Sequence, residues 1–328
     1  MAVYTHLGAE EMAELIGHFD VGTLVSAKGI AEGVSNSNWL IETTGSDGAG
    51  ARFILTMYEF RIDTAELPYF LALLDHLAAK GCPVPRTIHD RQGQLYRTIG
   101  DKAVALIEYL PGVSVSQPTP DQARAVGEAL ARLHLAAADF PMTRANAMDL
   151  VESRRLLESC GEAPLAEIDP ALPSLAFSQL DELERLWPQD LPQSVIHADL
   201  FPDNVLMLGN VVTGLIDFYF SCNGFCAYDV AVTHAAWCFS PDGQSFDARI
   251  SMALLDGYET VRPLSSDELK ALPILARAAC LRFLASRAYD WINTPADALV
   301  AKKDPRAFGH RLERFYANAE WTPVLMLR

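Results

Sequence analysis

His197-Ala198-Asp199-Leu200-Phe201-Pro202-Asp203-Asn204-Val205-Leu206, followed by Leu215-Ile216-Asp217-Phe218, is the stretch that decides how this chain reads. The apolar run Ser194-Val195-Ile196 leads into a His-x-Asp. An Asn lies five residues past that Asp, and a second apolar strand ends in another Asp thirteen residues further on. Two strand ends and the loop between them thus deliver two carboxylates and an amide. Taken singly, each is what a turn or a helix cap uses. The ordered set asks for a chemical reason.

Phosphoryl transfer from ATP supplies one. A hydroxyl nucleophile must lose its proton as the new P–O bond forms, and Asp199 is placed to accept it. Asn204 offers a neutral oxygen and Asp217 a charged one, the hard donors that Mg²⁺ takes. His197 orders the loop by hydrogen bonding and is the second residue assigned to the catalytic set. Asp203 is read as a solvent-facing or loop-capping residue.

Composition sets the frame. The 328 residues are half apolar, enough for two lobes with a sizeable core. Lys and Arg number 26 against 42 Asp and Glu, a net charge of −16. That balance argues against wrapping nucleic acid or binding an anionic membrane. The six cysteines are scattered, and only Cys222 and Cys226 are near neighbours, so reduced thiols are expected rather than a zinc site. Met1 to Asp20 has neither a basic n-region nor an apolar h-region, and no run is long enough to span a bilayer. A cytoplasmic protein is expected.

Periodicity organises the rest. Residues 9 to 19 read as an amphipathic helix on Met12, Leu15, Ile16 and Phe19. Strands are expected at Leu24 to Lys28, Trp39 to Thr43 and Arg52 to Tyr58, with a Gly-rich turn at 45–50. Asp63 or Thr64 caps a helix running to about Lys80, stopped by Gly81. Two strands follow, near Leu95 to Ile99 and Ala103 to Tyr109. The spacing therefore predicts a small α+β lobe, and Leu110-Pro111-Gly112 makes a connector. Beyond it the chain turns helical. Capping boxes stand at Thr119 to Gln122 and Ser265 to Glu268, with helices at Phe177 to Trp187 and Leu275 to Trp291.

His197-x-Asp199-x₄-Asn204 with Ile216-Asp217-Phe218 resembles the catalytic and metal-binding loops of the aminoglycoside phosphotransferase/choline kinase superfamily, small-molecule kinases with a protein-kinase-like fold. The resemblance runs the whole chain and implies an antiparallel-sheet nucleotide lobe at 1–107 with one main helix, a hinge at 108–112 and a larger helical lobe at 113–328. It also implies ATP and Mg²⁺ as cofactors, with ATP between the lobes. Glu108-Tyr109-Leu110-Pro111-Gly112 resembles the hinge, where backbone groups of Glu108 and Leu110 would meet adenine. Tyr228-Asp229-Val230-Ala231 resembles the buried Asp that braces the catalytic loop. Gly29 to Asn38, between two strands, reads as a phosphate loop, with Gly33, Val34, Ser35 and Asn36 as binding positions.

One position departs from the pattern. Such kinases usually carry a Lys on the third strand, paired with a helix Glu; here that position is Thr56, and Glu66 is the helix acid. A hydroxyl can bond phosphate but brings no charge. Lys28 replaces it only if its side chain turns inwards. Thr56 also keeps open a nucleotide-binding pseudokinase. Yet Leu55-Thr56-Met57-Tyr58-Glu59, Asn36-Ser37-Asn38-Trp39, Glu66-Leu67-Pro68-Tyr69-Phe70, Pro83-Val84-Pro85 and Trp237-Cys238-Phe239 resemble one branch, the phosphotransferase-like bacterial homoserine kinases. That resemblance implies L-homoserine as acceptor and a step towards threonine; an aminoglycoside, a choline-like or a sugar alcohol is the alternative. An amino-acid carboxylate wants an Arg fork. Arg282 and Arg287, in the most apolar part of the last long helix, are the candidates, with Trp237 as a pocket wall.

Overall fold

The computed structural model describes residues 7–30, 36–45, 47–59, 63–295 and 302–317. The chain separates into two units, Met1–Gly112 and Val113–Arg328.

In the first unit the amphipathic helix α1 (Ala9–Gly17) precedes strands β1 (Thr23–Ile30), β2 (Asn36–Thr44) and β3 (Gly50–Tyr58). A 3₁₀ turn at Thr64–Glu66, capped by the Asp63 side chain, opens α2 (Leu67–Ala79). The helix proper thus starts later than the sequence suggests, because Pro68 has no N–H to donate and sits where none is needed. Strands β4 (Thr87–Ile88), β5 (Arg97–Ile99) and β6 (Lys102–Glu108) complete an antiparallel sheet of order β1-β2-β3-β6-β4, with β5 also on β6.

The sheet has two unlike faces. Alternate residues Trp39 and Ile41 on β2, Leu55 and Met57 on β3, and Val104 and Leu106 on β6 pack against Met12, Leu15, Ile16 and Phe19 in one buried cluster. The other face carries the intervening residues. Cross-strand pairing puts Lys28, Leu40 and Ile54 in one row and Ile30, Asn38, Thr56 and Ala105 in the next. Asn38, Leu40 and Ile54 there are only half-buried.

The second unit is mostly helical: α3 (Pro120–Ala136), α4 (Leu150–Cys160), α5 (Glu162–Ile168) and α6 (Leu172–Leu186) precede the loop-bearing strands, and α7 (Cys226–Trp237), α8 (Ala248–Val261), α9 (Ser266–Asn293) and α10 (Arg306–Ala317) follow. Helix α9 is one element, starting at the Ser265 capping box and passing through Pro273, where the sequence reading placed its start at Leu275. It is buried all round from Leu275 to Ala285, as a central helix must be. Between α6 and α7 lie two ribbons, β7 (Gln193–Ile196) paired with β10 (Cys222–Phe225), and β8 (Val205–Leu208) paired with β9 (Val211–Leu215). All six cysteines are buried and unpaired. Among the described residues no helix is long and apolar enough to cross a membrane.

Helices α3 and α8 touch backbone to backbone. A Cβ at Gly127 would lie 2.1 Å from the Leu254 carbonyl oxygen, and one at Gly257 2.0 Å from that of Arg124. Glycine costs a helix about 1 kcal/mol against alanine, so the close approach is its reason to be there. Gly127→Ala should destabilise the protein by about 1–3 kcal/mol through overpacking, read as a lower urea midpoint with the m-value unchanged.

Candidate active site

Strand β7 ends at Ile196 and the chain turns sharply at Ala198, whose φ of +61° is in the left-handed region. A non-glycine residue there costs on the order of 1–2 kcal/mol. The surroundings over-determine it. The buried Asp229 carboxylate, in the first turn of α7, accepts the N–H of His197 at 2.7 Å through Oδ2 and that of Ala198 at 2.8 Å through Oδ1. The Arg282 guanidinium of α9 donates through Nη1 to the Ala198 carbonyl. Trp237 Nε1 donates to the Leu200 carbonyl at 2.9 Å. Asn204 Nδ2 donates to the Asp199 carbonyl at 2.8 Å, and the Asn204 N–H to Phe201 O at 3.0 Å, closing a 3₁₀ turn at Pro202–Asn204.

His197 joins this loop to the next strand end. Its Nε2 donates to the Ile216 carbonyl at 3.0 Å, and its Nδ1 accepts the Asp199 N–H at 3.3 Å. Both ring nitrogens are thereby used by the neutral imidazole, and burial holds its pKa below the ordinary value. Asp217, the next residue after Ile216, also has a left-handed φ, +65°. Asp199 and Asp217 thus sit on two bends fastened to each other through one ring.

The side chains of this loop carry negative charge. Asp199 is half-buried. Desolvation pushes its pKa up to about 7 against the pull of Arg282, and the Asp217 charge adds to the rise. Asp217 keeps solvent access, yet protein packed around it, then the Asp203 carboxylate, lift its pKa to about 6. Asn204 Nδ2 also lies 3.3 Å from Asp199 Oδ2, so its amide nitrogen faces Asp199 and its oxygen is left for another partner. Among the described residues no group of three or more His, Cys, Asp or Glu is placed to hold a metal. One amide and one carboxylate suffice for Mg²⁺ when phosphate oxygens and water complete its shell.

In the first unit, Thr56 is buried and its hydroxyl donates to Asn38 Oδ1 at 2.8 Å. Asn36 is buried too, and its Oδ1 has no hydrogen-bond partner. Gly33, Val34 and Ser35 lie outside the described residues. At the end of β6 the Glu108 N–H is taken by Arg86 O at 2.9 Å. Among the described residues the main chain of Leu110 makes no hydrogen bond.

Comparison with known proteins fits this architecture. Residues 26–264 match the model of the phosphotransferase enzyme family. The chain belongs to that family. It is 47% identical over 317 residues to a homoserine kinase of Gluconobacter oxydans, covering 96% of this chain and 98% of that one. A homoserine kinase of Rhodopseudomonas palustris is 48% identical over 322 residues, 98% of this chain and 96% of its own. Among solved structures, an amicoumacin kinase superposes with a TM-score of 0.72 at 15% identity, over 98% of both chains. The protein-kinase-like fold of the family is therefore the fold of this chain.

Three residues expected to meet the acceptor have different surroundings in this phosphotransferase. Arg282 is 3% exposed; its head neither reaches water nor stands free, but braces Ala198 and lies over the rings of Phe220 and Phe283. Trp237 is 3% exposed and its one donor is taken by the loop, so it is a brace rather than a pocket wall. Arg287 is half-buried above Phe308, 4.5 Å to the ring centroid, and Phe201, 5.9 Å. It has no ion pair or hydrogen bond among the described residues. Burial and the Arg311 charge lower its pKa to about 10, against the opposing charges of Asp199 and Asp203. Asp203 is exposed, 3.6 Å from Lys303, a cation the sequence reading missed because only the approach of the segment before α10 puts it there.

Helix α3 also supplies His134. It bonds Asp229 Oδ2 at 3.0 Å and Tyr258 Oη at 2.7 Å, all three fully enclosed. Burial works against both charges of the pair. The hydrogen bond from His134 and its charge nonetheless hold Asp229 below the usual carboxylate range, and His134 lies well above the usual imidazole value. Because folding lowers the Asp229 pKa, the unfolded chain takes up this proton first as pH falls. The contribution is complete above the unfolded carboxylate range and is lost as pH drops through the folded value. Asp229→Asn should cost about 3–5 kcal/mol at pH 7, the loss expected when one member of a buried pair is removed. Urea titration at pH 7 should show this as a lower midpoint for the variant than for the parent.

Proposed function

We propose that this phosphotransferase moves the γ-phosphoryl group of ATP to the side-chain hydroxyl of L-homoserine, giving ADP and O-phospho-L-homoserine. The observation that carries the reading is that two carboxylates, the half-buried Asp199 and the more open Asp217, stand on strand ends tied together by His197. Close identity to homoserine kinases over almost the whole chain supports the acceptor.

Asp199 takes the hydroxyl proton while the acceptor oxygen bonds to phosphorus and the bond to the ADP oxygen breaks. A base whose pKa is lifted towards 7 holds that proton better than an ordinary carboxylate. Asn204 and Asp217 are the residues assigned to Mg²⁺, which when bound supplies charge that offsets the phosphate oxygens. Thr56 and Asn36 are assigned to the phosphates. The free main chain of Leu110, with the Glu108 carbonyl, is assigned to adenine. His197 holds the loop without exchanging protons, since both its nitrogens are engaged. Arg287 is the guanidinium left for the amino-acid carboxylate, which a planar fork binds in two places. Work in the cytoplasm belongs to the same proposal.

ADP release with Mg-ATP tests the reading against L-homoserine, choline, ethanolamine and kanamycin. Turnover should appear with L-homoserine, and Arg287→Met should raise its KM at least about tenfold through loss of a charge-assisted pair. Turnover only with another alcohol would sink the acceptor assignment; no turnover with any acceptor would favour the pseudokinase that Thr56 suggests. Asp199→Asn should lose about 10²–10⁴-fold in kcat while nucleotide affinity, measured by calorimetry, stays at the parent level.

A further inference from the structure

We propose that Lys28 supplies the charge for the nucleotide's phosphates that Thr56 does not. This rests on the nucleotide reading above.

A triphosphate tail brings about three to four negative charges to a chain that is already −16, a total that includes Asp199 and Asp217. Thr56 offers only a hydroxyl, and that hydroxyl is held by Asn38. A cation standing in for the strand Lys on this sheet would come from the first unit. Most of its described cations are committed: Arg52, Arg86, Arg91, Arg97 and Lys102 each pair with a carboxylate, and Lys80 is also engaged. Among the described residues of this unit, Lys28 alone has no such partner.

Its position selects it a second time. Lys102 is the tempting substitute, since it pairs with Glu59 just past the end of β3. But Glu59 stands two residues from Met57, and Lys102 two from Val104. The alternation of strands puts both on the face that packs against α1. Lys28 pairs across to Leu40, and Leu40 to Ile54, so it points from the opposite face, the one that carries Thr56. That face is half-open along Asn38, Leu40 and Ile54. It also holds Asn36, paired with Tyr58, whose buried Oδ1 lacks a hydrogen-bond partner. An unpaired cation on a flexible four-carbon stem, on the same sheet face as Thr56, is the charge a phosphate chain takes.

Calorimetry with ADP and with adenosine, both in magnesium buffer, separates charge from shape. Lys28→Gln should weaken ADP about tenfold, the effect of one charge-assisted contact, and leave adenosine unchanged. Lys28→Arg should keep most of the ADP affinity. Adding Thr56→Lys to Lys28→Gln should restore it from β3, two strands away on the same face. Equal ADP affinity in the parent and Lys28→Gln overturns the inference and leaves the nucleotide reading standing. Parallel losses for ADP and adenosine also overturn it, because they report a disturbed sheet. A parent protein that binds neither ligand removes both.

Discussion

The site depends on a single carboxylate that never meets substrate. Asp229 is wholly enclosed and accepts two successive main-chain N–H groups, His197 and Ala198, one on each oxygen. Successive N–H groups point the same way only when the chain bends, which is why Ala198 adopts a left-handed conformation that an alanine otherwise avoids. His134 and Tyr258 close the network from behind, so the charge is compensated without water. The Asp199 carboxylate is thus aimed by a second carboxylate acting on the backbone beside it.

Around this anchor the carbonyls of the bend are held as well. Arg282, Trp237 and Asn204 hold three consecutive carbonyls, at Ala198, Leu200 and Asp199. Such saturation fixes side-chain positions before any ligand arrives, the condition under which electrostatic catalysis works well. The cations near Asp199 and Asp203 lie mostly over aromatic rings, among them Phe201, Phe283 and Phe308. Weakly hydrated guanidinium groups suit that setting, and the exposed Lys303 ammonium shares it over Phe201.

Much of this was legible in the sequence, and for physical reasons. The period of α1 and the alternation in β2 and β3 reflect which face each buries, so their positions could be read. The spacing of Asp199, Asn204 and Asp217 is set by a loop and a hairpin, both local. Strand β10 was not legible, because Cys222-Asn223-Gly224-Phe225 has little β-propensity and forms by pairing with β7. The start of α9 was hidden by Pro273, which reads as a breaker but is carried by the packing around it. Arg282 was taken for a ligand-facing residue. Helical spacing shows which residues share a face, but it does not show which carbonyl of a distant loop that face meets.

Helix α9 carries one more consequence. Arg282, which grips the bend beside Asp199, and Arg287, which stands unpaired, ride the same rigid rod five residues apart, about 7.5 Å of rise. The interval between the two backbone positions is therefore a property of helical geometry and not of any loop. A helix that is buried all round over most of that interval cannot stretch or slide to suit its guest. It acts as a fixed gauge between the bend that Arg282 holds and the backbone that carries Arg287.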